Sequence, residues 1–194
     1  MPTSDGRHAR SERTREAVAE AMLDCFEDGL LRPGAGEVAA RAGVSTRAVF
    51  RHFENMDALV EAAATLQLER LAGQLPPFAF EGTREQRVEA LVTRAAYGFE
   101  RTTRVRRAAE LLEPFSEAVQ DRYAWLRSEV RRSLRRAFAE ELRGLSERER
   151  REKTAALRAL LSFRYWEELR RHERLSVASA KRVLVSAIHS LLET

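Results

Sequence analysis

Cysteine is nearly missing from this chain, since Cys25 is the only one. One thiol excludes an intramolecular disulfide and any metal site built on several thiolates, and a reducing compartment fits best. Long apolar runs are missing as well. The longest charge-free apolar run near the C-terminus is VLVSAIHSLL, far short of the roughly 20 residues a membrane span needs. The N-terminal MPTSDGRHARSERTRE has no apolar core of the kind a signal peptide requires. These absences predict a cytoplasmic protein with no membrane partner. The four histidines, His8, His52, His172 and His189, lie far apart and lack metal-ligand spacing. No nucleophile elbow, phosphate loop or paired-carboxylate signature occurs. The expectation is therefore no catalytic residue, no metal and no cofactor. Lysine is scarce too: Lys153 and Lys181 stand against 32 arginines. GC-rich coding is a simpler account of that bias than selection for arginine chemistry.

What is present is a chain of 194 residues, 44% hydrophobic and 33% charged, enough for one compact domain or two small ones. Glycine and proline are few and fall between segments, and strand-like alternation is absent over any useful length. The pattern predicts an all-α fold of about nine helices. Net charge is +4, but residues 1–70 total −3 and the remainder +7. Net charge alone would place nucleic-acid binding in the second half. Local pattern decides otherwise.

A first helix is expected from about Ser11 to Asp28, with Val18, Met22, Cys25 and Phe26 forming one buried stripe and Gly29 as its stop. Cys25 then reads as a core residue rather than a redox sensor. A short helix follows from about Glu37 to Ala42. Gly43 breaks it, and Ser45 caps another that runs to about Phe53. Asn55 caps a fourth, MDALVEAAATLQLERLA. The stretch GQLPPFAFEG is the clearest boundary in the chain. Beyond it the spacing predicts a helix over TREQRVEALVTRAAYGFERT, a short one over VRRAAELLE, a long one from Pro114 to Arg143, another from Ser146 to about His172, and a last one from Ser176.

The segment VAARAGVSTRAVFRHF, residues 38–53, carries the function. Two short helices joined at Gly43 make a helix-turn-helix, because glycine accepts the left-handed backbone that the turn demands. Ala39 sits where the helices cross, and Val44 and Val49 fill the wedge. Thr46, Arg47 and Arg51 are then free to face outward, and no carboxylate lies on the second helix to repel phosphate. A plain helical hairpin with an exposed basic face has the same pattern.

The longer run AGVSTRAVFRHFENMDAL decides between them: it resembles the TetR family of tetracycline-repressor-like regulators over about residues 11–60. The resemblance implies an arm over 1–10, a helix-turn-helix DNA-binding domain over 11–56, and a ligand-binding and dimerisation domain over 57–194, linked through the fourth helix, 57–73. It implies DNA contacts from Ser45, Thr46, Arg47, Phe50, Arg51 and His52, with Thr46 and Arg47 at base edges or adjacent phosphates and His52 on a phosphate. Three positions depart from the family pattern. Phe50 replaces the usual Tyr and has no hydroxyl for phosphate, Met56 replaces a common Lys, and Gly34 stands where a Thr often opens the second helix. The arginines at 7, 10, 13 and 15 are one source of replacement contacts.

The remainder matches the family only in plan. The long helix has an inward stripe of Val119, Leu126, Val130, Leu134 and Phe138, with Trp125 about 100° off it. The next helix carries two apolar stripes, and a second stripe needs a sister subunit or a ligand cavity. The family pairs its last two helices across a two-fold axis. A homodimer interface is expected at Ala156, Ala159, Phe163, Leu184, Ile188 and Leu191. Phe99, Phe115, Trp125, Phe163 and Trp166 are candidates to line a pocket for a small apolar effector, with ordinary core packing the competing account of each one. Three functions thus compete: a regulator that binds a double-stranded DNA operator, an enzyme, and a helical protein-interaction module without DNA binding. The motif favours the first.

Overall fold

The computed structural model describes residues 5–78 and 80–193, apart from the side chains of Asp5 and Arg7. Residues 1–4 of the expected arm lie outside the described residues. Every regular element among the described residues is helical, as the spacing predicts. The chain divides into two units. One comprises the chain up to Gly73 together with Thr103–Tyr123; the other comprises Gln74–Thr102 and the chain from Ala124 onward.

In the first unit, α1 (Asp5–Glu27) starts six residues earlier than its sequence pattern suggested, so residues 5–10 are helical. Its stripe of Val18, Met22, Cys25 and Phe26 is buried. It ends in a paired closure: the Leu30 N–H donates to Cys25 O at 2.9 Å and the Gly29 N–H to Phe26 O at 3.0 Å. Gly29 has φ of 88°, the left-handed geometry that this closure needs. Helix α2 (Ala35–Ala42) ends the same way, with Gly43 at φ 66° and the Val44 N–H donating to Ala39 O at 3.0 Å. Helix α3 (Thr46–His52) begins at Ser45, whose Oγ accepts the Ala48 N–H at 3.2 Å. Helix α4 (Met56–Ala72) begins at Asn55, whose Oδ1 accepts the Ala58 N–H at 2.8 Å. Helix α1 packs against α2, α3 and α4. Val38, Ala39, Val49, Phe53, Leu59 and Ala63 close this core with the α1 stripe, and Ala108 and Val119 complete it.

Helix α5 (Arg84–Leu112) is one continuous helix of 29 residues, where two were expected. RTTRV contains no glycine or proline to break it, and the Thr102 hydroxyl donates to Gly98 O within the helix at 2.6 Å. The helix therefore contributes to both units. So does α6 (Glu117–Ala137), which is shorter than the expected Pro114–Arg143. Turns occupy 138–144, and Gly144 has φ of 83°.

The second unit holds α7 (Glu147–Leu160), α8 (Phe163–Glu167) with a π-helical turn over Glu168–His172, and α9 (Val177–Glu193). The expected single helix from Ser146 to His172 is thus broken, and Ser162 is the reason. Its hydroxyl donates to Ala159 O at 2.7 Å and accepts the Tyr165 N–H at 3.2 Å. One side chain thereby ends α7 and caps α8, the competition with the helix ladder that serine offers. The core of this unit includes Val88, Val92, Phe99, Leu134, Phe138, Leu157, Trp166, Leu184 and Ile188.

Candidate nucleic-acid interface

The interface is built on α3. Its seven residues, TRAVFRH, contain no acid. Val49 turns inward, 1% exposed, and Phe53, just past its end, is 2% exposed. Both pack with Ala39, and Val44 is packed at the edge of the same core, so the wedge between α2 and α3 is filled as its small residues predicted. The opposite face carries Thr46, Arg47 and Arg51, all exposed. Among the described residues neither Arg47 nor Arg51 makes an ion pair. Phe50 is also outward, half exposed. Ser45 is exposed, but its hydroxyl is engaged as the α3 cap.

His52, at the end of α3, is half-buried. Its Nε2 is buried and has no hydrogen-bond partner among the described residues. The main-chain oxygen of His52 has a partner that sequence spacing could not have shown. Arg15 reaches from α1, 37 residues away, and its Nη1 donates to His52 O at 2.8 Å. The same guanidinium lies 4.6 Å from the centre of the Phe53 ring. Arg10 and Arg13 are exposed.

Two of the three departures from the family pattern, at Gly34 and Met56, have local consequences. The Glu37 Oε2 accepts the Gly34 N–H at 2.7 Å, so a carboxylate of the chain itself caps the start of α2. Met56 packs at the edge of the core and adds no cation. Arg41 is tied to Asp28, and the hydrogen bond it donates to that carboxylate raises its pKa. The Cys25 thiol is pushed up, chiefly by burial, which keeps it protonated and inert.

In the second unit Phe99, Phe163 and Trp166 come together, with ring centres 5.8 Å (Phe99–Phe163) and 6.1 Å (Phe99–Trp166) apart, and all three are buried. The other two aromatics expected beside a pocket do not join them. Phe115 belongs to the first unit and is 73% exposed, with the Arg32 guanidinium 4.8 Å over its ring. Trp125 is 52% exposed, as its position off the inward stripe of α6 dictates. The expected dimer residues divide in the same manner. Leu184 and Ile188 are wholly buried inside their own unit, and Phe163 nearly so, so they are spent on the subunit core. Ala156 and Leu191 are half-buried and Ala159 is exposed.

Among the described residues no cluster of His, Cys, Asp or Glu is arranged to hold a metal, and no helix is long and apolar enough to cross a membrane.

Residues 26–63 match the family model of bacterial regulatory proteins, tetR family. That span starts at the end of α1 and holds α2, α3 and the first half of α4. The whole fold is similar to two solved structures. One is a transcriptional regulator from Rhodococcus sp. Rha1, 21% identical, with a TM-score of 0.72 over 92% of this chain and 96% of that one. The other is a TetR transcription regulator from Haloarcula marismortui ATCC 43049, 17% identical, with a TM-score of 0.71 over 92% of this chain and 98% of that one. No curated protein is similar enough in sequence to match. The N-terminal segment over residues 26–63 is thus similar to the tetR-family regulatory domain, and the chain shares its overall fold with the two regulators.

Proposed function

We propose that this chain, which carries the tetR-family DNA-binding domain, is a homodimeric cytoplasmic repressor that holds a pseudo-palindromic operator and releases it when a small apolar effector binds its second unit. One observation carries the reading. A short, acid-free helix presents Thr46, Arg47 and Arg51 to solvent without ion pairs among the described residues, while its other face is locked into a core. Such a helix enters the major groove with its N-terminal residues at base edges, and unneutralised arginines there supply both guanine recognition and phosphate attraction.

The dimer reading is supported by a second apolar stripe on α9. Val183, Ala187 and Leu191, spaced i, i+4, i+8, stay exposed or half-buried beside the buried Leu184 and Ile188. Exposed Ala159 on α7, which packs against α9, allows close approach of a second copy. The effector reading is supported by the aromatic group Phe99, Phe163 and Trp166, which an apolar molecule can join by rearranging it. Coupling requires the effector to favour one spacing of the two DNA-binding heads, because a ligand with equal affinity for both spacings changes nothing.

Footprinting on the DNA flanking the chain's own gene tests the reading. The expected result is a protected pseudo-palindrome with half-sites about one helical turn apart, ~34–36 Å, and retention that weakens steeply with salt. Equal retention of a scrambled duplex would sink it. At 100 times its Kd an effector stabilises the fold by ~2.7 kcal/mol, so a thermal-shift screen followed by operator release tests the ligand arm.

A further inference from the structure

We infer that Arg15 is a positioning residue for the reading helix: from α1 it fixes the C-terminal end of α3, and with it the pose of Thr46 and Arg47. The consequence for DNA rests on the function proposed above, whereas the hold itself does not.

Helix α3 has seven residues, too few to be stable alone. Its last carbonyls have no partner within the helix. Val49 O is taken by the Phe53 N–H at 3.0 Å. His52 O lies beyond that bond, and the Arg15 Nη1 takes it at 2.8 Å. The guanidinium plane also lies over the Phe53 ring, and that ring is buried in the core. One side chain therefore touches the last carbonyl of α3 and the first residue past its end. A cation there also suits the negative end of the helix dipole. Only arginine combines a flat face for stacking with a fork of donors; lysine keeps the charge but not the fork.

The competing role for Arg15 is a direct phosphate contact. The two differ in what lysine can restore. A phosphate contact survives Arg15→Lys, because an ammonium still pairs with phosphate. A hold made by a fork and a stack does not.

The test uses the full chain, wild type and Arg15→Lys, with Arg15→Gln as a second variant, all checked by thermal melting to be folded at the assay temperature. Operator and scrambled duplexes are titrated over a salt series. Positioning predicts that Arg15→Lys weakens operator binding about five- to ten-fold and leaves scrambled binding within about two-fold. The salt slope should stay unchanged, since no phosphate contact is lost. Full rescue by lysine, or an Arg15→Gln loss equal on both duplexes with a slope reduced by about one, would overturn the inference and assign Arg15 to phosphate. Amide exchange without DNA supplies the independent arm. The Phe53 amide should exchange about five-fold faster in Arg15→Lys than in wild type, while α4 is unaffected. Unchanged exchange at Phe53 would refute the hold. If the wild-type protein does not discriminate the duplexes at all, the proposed function fails and the exchange result still decides the role of Arg15.

Discussion

The arginines of α3 and the paired arginines of the second unit are placed differently. Around α3 the arginines that face outward, Arg47 and Arg51, have no acidic partner among the described residues. In the second unit arginines are tied to carboxylates one after another: Arg84 to Glu193, Arg87 to Glu141, Arg135 to Glu147, Arg150 to Glu147 and Arg170 to Glu100. Exposed pairs of this kind contribute little individually. Other arginines of that unit, Arg131, Arg143 and Arg151 among them, are exposed and have no ion pair among the described residues. In the first unit Arg41 and Arg70 are paired with Asp28 and Glu20, while the unpaired Arg47 and Arg51 share one short acid-free helix. The sign of a local field follows from which charges lack partners, and a net count over half a chain cannot supply that.

The largest expected effect separates the two apolar stripes of α9. Ile188 is wholly buried and Val183 is 37% exposed, five residues away on the same helix. Ile188→Asp places a carboxylate in a packed core, a cost of about 4–5 kcal/mol. It should abolish cooperative melting of the second unit rather than yield folded monomers. Val183→Asp should leave the melt within a few degrees of wild type and, if the second stripe is the dimer seam, halve the sedimentation mass. A folded Ile188→Asp dimer would show that the stripes are assigned the wrong way round.

Next in size is the effect of removing one unneutralised cation. Arg47→Ala should cost operator binding ~1–3 kcal/mol and relax preference at one base position, as expected of a bidentate contact to guanine. An alanine at Arg135, which is exposed and paired with Glu147, should leave DNA affinity unchanged within two-fold. Titration of both variants against operator and scrambled duplexes checks the contrast. Equal losses from the two would mean that overall charge, and not α3, governs binding.

The helix-turn-helix was legible in the sequence because its signals are local. Gly43, Ser45 and Asn55 each act on backbone within four residues of themselves, and Ala39, Val44 and Val49 need only helical spacing to meet. The orientation of α7–α9 was not legible. Each helix there carries two apolar stripes, and which one turns inward depends on residues far off in the chain. Leu184 and Ile188 look no different in sequence from the stripe that faces out. The break at Ser162 was missed because serine within an amphipathic run usually sits quietly on the surface; here its hydroxyl bonds on both sides of the break. Arg15 and His52 O are a pair that no spacing predicts.

The two capping serines sharpen the comparison at a smaller scale. Ser45→Ala removes a cap from a helix that has no alternative start, and should cost ~1 kcal/mol. Ser162→Ala removes a similar cap but also the competitor that ends α7, so part of the loss is recovered by a more continuous helix. Its melting shift should be the smaller of the two, with a slight gain in far-ultraviolet helical signal. A larger loss at Ser162 would mean that the break itself is needed for packing.

The smallest effect concerns a two-pronged ion pair of the second unit. Both Glu100 oxygens accept from Arg170, Oε1 from Nε at 2.9 Å and Oε2 from Nη2 at 3.2 Å, and Oε1 also accepts the Trp166 indole N–H at 2.9 Å. The hydrogen bonds from Arg170 lower the Glu100 pKa most; burial opposes them and Trp166 adds to the lowering. A carboxylate whose folded pKa lies below its unfolded value of about 4.3 binds fewer protons when folded. Its contribution is therefore complete above pH ~4.3 and is lost as pH falls through the folded value. Glu100 remains partly exposed, so solvent screens the pair and the expected shift is modest. Arg170 also donates to Leu175 O, so the same guanidinium ties the π-helical turn to the loop before α9. Between about pH 5 and pH 3 the wild-type melting temperature should fall more steeply than that of Glu100→Gln, which cannot be protonated and still accepts the indole N–H. Parallel curves would mean that the pair holds this turn by packing alone, and that the ion pairs of the second unit neutralise charge without adding stability.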